Sequence, residues 1–272
     1  TGWQSLPYYQ LSCGPEIVCF FETHKEQGMT LKSVRMGYAA LCSLMMAGQA
    51  FAACEKPFLA GDFGYSVCKE WPAYPGLTIT ALSQFESGYS ASDYGPQGKY
   101  DLNLAIVSAG DSKPLATYHK TAAFESDAIA FEDLQLDTAR YKLTPDLRAF
   151  GVRVTFKGSS RVNPVSEKLL SLYVKEGGQL RPVLDKLITY EYGGEWDGNC
   201  AGELYRHTRT LEIGNTRSHG YADLIVKTVS SREIGKGEGE ACESKTITEK
   251  PVLTTLRYDG KSYVLPHGFK GL

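Results

Sequence analysis

From residue 148 to residue 156, Phe150, Val152, Val154 and Phe156 alternate with Gly151, Arg153 and Thr155. Successive side chains of an extended strand point to opposite faces. A period of two therefore gives one apolar and one solvated face, and it cannot supply the stripe that a helix buries. The same reading applies to residues 77–83, 102–108, 169–174, 205–213, 222–229 and 252–258. Turn signals stand between them at Gly110-Asp111, Gly177-Gly178, Gly193-Gly194, Gly214-Asn215 and Asp259-Gly260. Residues 166–170 have room for one helical turn, and no long amphipathic helix is predicted. The 17 tyrosines suit pleated surfaces. The expectation is a mostly β fold of antiparallel sheets, either a sandwich or incomplete propeller-like blades, with few helices and with disulfides as staples.

A different signal precedes this body. Lys32 and Arg35 are followed by an apolar run over 36–48 and by Ala50-Phe51-Ala52-Ala53. A basic start, about a dozen apolar residues and small residues before the cut make a secretory signal. Residues 29–52 are read as that signal, with cleavage after Ala52, and residues 1–28 as an upstream extension that is not native to the protein. The alternative of an uncleaved anchor is disfavoured by Gln49 and the small-residue tail. Either way the positive charges lie upstream, so the remainder faces outward. The expected localisation is periplasmic or secreted, with no membrane span after cleavage. Residues 53–272 are read as a single β-rich domain, with a candidate seam near 192–198.

Cleavage leaves Cys54, Cys68, Cys200 and Cys242. Four cysteines permit three pairings. The local solution, Cys54 with Cys68 and Cys200 with Cys242, is favoured, in the oxidising compartment that such bridges require. Phe51-Ala52-Ala53-Cys54 also ends like a lipoprotein signal, but lipidating Cys54 would strand one of the other three.

The net charge is −2, and the segment before the cut carries equal numbers of cations and anions, so the remaining chain is nearly neutral too. No basic surface is implied, and nucleic acid is not expected as a partner. A body of about 220 residues is long enough for a sizeable core.

Two stretches share an order of features. One runs from Leu134 through Ser159-Ser160-Arg161 to Gly177-Gly178, and the other from Leu211 through Ser230-Ser231-Arg232 to Asp259-Gly260. Within the second, Asn215, Arg217, His219, Gly220, Asp223, Leu224 and Val226 follow the register of a D-x-N-x-D-G-x-x-D-L-x-V loop. Residues 211–266 thus resemble an FG-GAP or VCBS type β-propeller repeat. The resemblance implies β-blade geometry with degraded calcium ligands, because Arg217 brings a positive charge and His219 is a poor substitute for an oxygen donor.

Glu195, Asp197 and Glu203 cluster in sequence around Trp196 and Cys200. Two carboxyls, one protonated and one ionised, beside an aromatic ring are what glycoside hydrolysis needs. The competing account is a solvated loop tethered by a disulfide. His119, His207, His219 and His267 show no metal-ligand spacing, and neither a metal nor a cofactor is expected. Ser66-Val67-Cys68-Lys69 matches S-x-x-K but lacks its partner motifs. The leading expectation is therefore an exported envelope protein that binds a protein or a glycan without chemistry of its own. A hydrolase acting on envelope glycans through Glu195, Asp197 and Glu203 is the alternative.

Overall fold

A computed structural model describes residues 64–89, 97–108, 113–237 and 241–271. The signal over 29–52, the stretch before it, and Cys54 with its expected bridge or lipid lie outside these residues. Cys68 is disulfide-bonded.

The described residues belong to one compact unit and form twelve strands: β1 (Gly64–Glu70), β2 (Leu77–Tyr89), β3 (Gln97–Ser108), β4 (Pro114–Ser126), β5 (Ile129–Lys142), β6 (Arg148–Gly158), β7 (Val165–Glu176), β8 (Gln179–Trp196), β9 (Gly202–Ser218), β10 (Tyr221–Lys236), β11 (Glu243–Thr248) and β12 (Val252–Leu256). The fold is β throughout and almost wholly antiparallel. β1 to β4 form one meander and β5 to β8 another. The two meet where β4 runs parallel to β8, paired only at Thr117 and Gln179. At the other margin the β1 side chains reach the β5 backbone. The Tyr65 hydroxyl donates to the Phe131 carbonyl at 2.7 Å, and Lys69 Nζ donates to that of Leu136 at 3.3 Å. Ser66 and Lys69, an odd number of residues apart, point to opposite faces of β1, so the S-x-x-K pair does not converge.

Two cores follow from this arrangement. In the first, Ile79, Leu102, Leu104 and Ile106 pack with Phe131, Phe150, Val152, Val154 and Phe156. In the second, Leu170, Leu172, Val174 and Leu184 pack with Leu224, Val226, Leu256 and Tyr263 from the β9, β10 and β12 side. β7 is covered on both faces, so Leu169 through Val174 are all buried. This is why residues 166–170, expected to contain a helical turn, extend as strand: a continuous apolar run suits a layer with no solvated side. The alternation in β6 is real, with Phe150, Val152, Val154 and Phe156 all inside. Its other face, expected to be solvated, is buried at Ala149 and Gly151. Arg153 on that face is held by Asp137 at 2.7 Å.

Two turn assignments change. Gly177-Gly178 does join β7 to β8, but Gly193-Gly194 and Gly214-Asn215 lie inside β8 and β9. Gly193 is there for clearance, since a Cβ would lie 2.6 Å from the Tyr205 hydroxyl. The hairpin between β9 and β10 turns instead at His219-Gly220, with φ of 48° and 85°, the left-handed pair of a type I′ turn. Residues 215–223 are thus a hairpin tip. Arg217 donates to the Gly220 and Leu143 carbonyls at 3.2 Å each, and Thr216 donates to the Asp223 carboxylate at 2.5 Å. The Ser-Ser-Arg triplets take different structures: 159–161 connects β6 to β7, whereas 230–232 lies within β10.

The candidate seam at 192–198 falls on the end of β8, which pairs with β7 on one side and β9 on the other. Cys200 and Cys242 form the expected disulfide, tying the turn after β8 to the start of β11. Among the described residues no helix is long and apolar enough to cross a membrane.

Candidate functional site

Directly opposed residues in antiparallel strands project from the same face of a sheet. Glu167 on β7 stands opposite Glu191 on β8, Glu191 opposite His207 on β9, and His207 opposite Ser230 on β10. Four strands therefore place Glu167, Glu191, His207 and Ser230 in one polar row. One step toward the second core lie Arg209 and Thr228, also opposed. One step away lie Gly193 and Tyr205.

His207 Nδ1 is 2.9 Å from Ser230 Oγ. Arg209 is 8% exposed and reaches Glu191 at 3.8 Å. It donates to the Ile188 carbonyl at 3.3 Å and lies 4.7 Å over the Phe269 ring. Its Nε and the Thr228 hydroxyl are buried without a hydrogen-bond partner, which folded proteins seldom tolerate. The C-terminal segment fills the lane beside β8 that β9 vacates. Ile188 N–H donates to Phe269 at 2.8 Å, and Gly271 N–H donates to Lys186 at 2.9 Å.

A cavity of about 490 Å³ opens on this row, walled by Glu167, Lys186, Glu191, Tyr192 and Tyr205 on one side and by residues of β4 and β5 on the other. A second cavity of about 820 Å³ shares Asp127, Val165, Ser166 and Tyr192 and extends toward Lys157 and Arg161. The first cavity is the groove of the Glu167–Glu191 face, whereas Ser166 and Tyr192, opposed to each other, belong to the other face of the strands. Two residues of the groove, Ala122 and Lys186, have φ of 45° and 53°, a left-handed conformation costing about 1–3 kcal/mol for a residue with a side chain. At Lys186 irregular pairing explains the twist, because β8 loses register with β7 between Leu184 and Ile188. The Lys186 N–H is then satisfied by Ser171 Oγ at 2.9 Å.

The electrostatics of the groove are uneven. Burial, and then the facing Glu191, hold the Glu167 carboxyl above the ordinary glutamate value, against the pull of Lys186 and Arg209. Among the described residues no hydrogen bond or ion pair engages that carboxyl, whereas Glu191 has Arg209. Burial, and then Lys120, push the Lys186 amine down. Burial, then Glu191 and Glu167, push the Tyr205 hydroxyl up.

The acids singled out by sequence sit elsewhere, at the tip of β8 and β9. Glu195 opposes Glu203, and Trp196 opposes Gly202. Asp197 accepts the Asn199 and Cys200 N–H groups at 2.8 Å each, and these backbone bonds, that of Asn199 first, hold its carboxyl low. Glu203 pairs with Arg232 at 3.2 Å, both about half exposed. The Trp196 indole covers the Gly202-Gly235 backbone, where a Cβ on Gly235 would lie 2.5 Å from the ring. None of these four residues walls the groove. His119 is held by Asn103 at 2.8 Å and His219 by the Tyr258 carbonyl at 2.9 Å.

Sequence reasoning passed over Glu167, Glu191, Lys186, Tyr192 and Tyr205. No local signal marks them: at strand period Tyr190 and Tyr192 face away from Glu191. The class defined so far is an all-β, disulfide-bonded chain with an aromatic and ionic groove at one end of its sheets. No protein-family model matches the chain, and no curated protein or solved structure is detectably similar to it.

Proposed function

We propose that the chain is an exported envelope protein whose work is binding, and that its groove takes a glycan. The groove carries this reading. Tyr205 offers apolar ring area with a polar tip, beside acceptors at Glu167, Glu191 and Asp127 and a donor at Lys186. A concave site of a few hundred Å³ with a small set of convergent polar groups is the usual form of a small-ligand site. Donors and acceptors of both charges, interleaved with rings, complement neutral sugars, whose hydroxyls do both and whose C–H faces stack on aromatics. Export is supported by the signal pattern over 29–52 and by the Cys200–Cys242 disulfide, a bond that persists outside the reducing cytosol.

Calorimetric titration with two probes, neutral N-acetylchitotetraose and peptide-free peptidoglycan glycan strands, which carry lactyl carboxylates, tests the reading. Binding of at least one is expected, and Tyr205→Ala should weaken it by about tenfold or more, as truncation of an aromatic anchor does. Binding of neither probe, or binding indifferent to both Tyr205→Ala and Tyr192→Ala, would overturn it. Capture of an envelope protein at the groove instead would assign the site to a protein partner. N-terminal sequencing of the exported chain should begin at Ala53.

A further inference from the structure

We infer that Glu167 and Glu191 are a general acid and a nucleophile that cleave a glycosidic bond of the glycan in the groove. The inference rests on the glycan reading above and adds a reaction to it. Direct opposition across β7 and β8 sets the two Cβ atoms about 5 Å apart on one face. That allows the carboxyls the separation of about 5–5.5 Å at which a pair acts with retention of configuration. Both residues wall the cavity that holds Tyr192 and Tyr205.

Their surroundings give them different roles. Glu191 faces the Arg209 guanidinium at 3.8 Å, a fixed positive charge that keeps a nucleophilic carboxylate ionised. Among the described residues Glu167 forms no ion pair, is half-buried, and is pressed toward its protonated form by burial and then by Glu191, against the weaker pull of Lys186 and Arg209, which suits a proton donor. A buried cation stands beside the pair. Arg209, 8% exposed, turns its head toward Glu191 while its Nε stays unpartnered. Such a cation 3.8 Å away stabilises the ionised form of Glu191.

The chemistry balances without an external reagent. A Glu191 oxygen attacks the anomeric carbon and forms a C–O bond. The glycosidic C–O bond breaks, and its oxygen takes the Glu167 proton and leaves as an alcohol. Water then attacks the same carbon and gives its proton to the Glu167 carboxylate. The bond to Glu191 breaks, restoring both carboxyls.

The test incubates the purified chain with the same two probes, reading binding by calorimetry and cleavage by newly formed reducing ends. The wild-type chain should release reducing ends with the anomeric configuration retained. Glu167→Gln should lower cleavage at saturating probe by about a hundredfold or more, the usual share of a proton donor. Glu191→Gly should lose cleavage and regain it in sodium azide, giving a glycosyl azide of inverted configuration. Binding without any reducing ends from the wild-type chain would overturn the catalytic inference and leave the binding reading intact. Cleavage with inversion, which needs no variant to observe, would overturn Glu191 as nucleophile. Cleavage that survives both substitutions would overturn the pair. If neither probe binds, the glycan reading falls and this inference falls with it.

Discussion

The tip of β8 and β9 and the row two steps down the same strands both carry paired acids, yet they treat those acids in opposite ways. At the tip, Asp197 is taken up by the backbone of its own turn, and its carboxyl is held low. In the row, Glu167 has no donor among the described residues, faces another carboxylate, and is held high. The tip uses its acids to fold; the row leaves one in an unfavourable state that only a ligand or a proton relieves. Proximity in sequence is therefore a poor guide to convergence. Glu195, Asp197 and Glu203 lie within nine residues of one another and wall no part of the groove, whereas Glu167 and Glu191, 24 positions apart, face each other in register.

The sharpest way to break this contrast is to remove the staple at the tip. Replacing Cys200 and Cys242 together with serine should lower unfolding free energy by about 4 kcal/mol, from the entropy of a loop of this length. Urea denaturation would measure the loss, and ligand binding in the groove should survive in the fraction still folded. A loss of binding with no loss of stability would reverse the roles assigned to the two regions.

A smaller effect of opposite sign is expected in the row. Glu167 holds its proton more tightly folded than unfolded, so the stability linked to it is complete below the ordinary glutamate range and declines as pH rises through the folded value. Glu167→Gln should therefore stabilise the chain at about pH 7 by about 0.5–1 kcal/mol, the cost of like charges directly opposed. Near pH 4 it should change little. Denaturant midpoints at the two pH values would show this, and a variant less stable than wild type at neutral pH would contradict it.

The smallest effect returns to the tip with the reverse pH dependence. The Asp197 carboxyl is lowered, so its contribution is present above the ordinary aspartate range and lost as pH falls through the folded value. Asp197→Asn should lower the melting temperature slightly at neutral pH and not at acid pH, as thermal scans would record. An equal shift at both would mean that its charge is irrelevant to the turn.

Much of the fold was legible. The period of two located β2, β3, β6, β7, β9, β10 and β12, and the preference for local pairing favoured the Cys200–Cys242 bond that the structure contains. The remaining strands were harder for identifiable reasons. β5 is broken by irregular pairing between Asp137 and Tyr141, and β8 by losses of register that turn Lys186 outward, so neither keeps a clean alternation. β11 is exposed at every residue and has no apolar face to read. The glycines at 193, 194 and 214 resembled turns because sequence reports the presence of glycine, and only the neighbouring strand shows that the missing Cβ clears a ring or a backbone oxygen.

What the sequence determined by itself was the kind of structure: extended strands, because alternation at period two can bury an apolar face only as a sheet. The tertiary structure alone decided which acids meet. Strand register is fixed by the packing of two cores on either side of β7, and a slip of one residue would turn every side chain to the opposite face. Glu167, Glu191 and His207 share a row for that reason, and no local pattern in the chain records it.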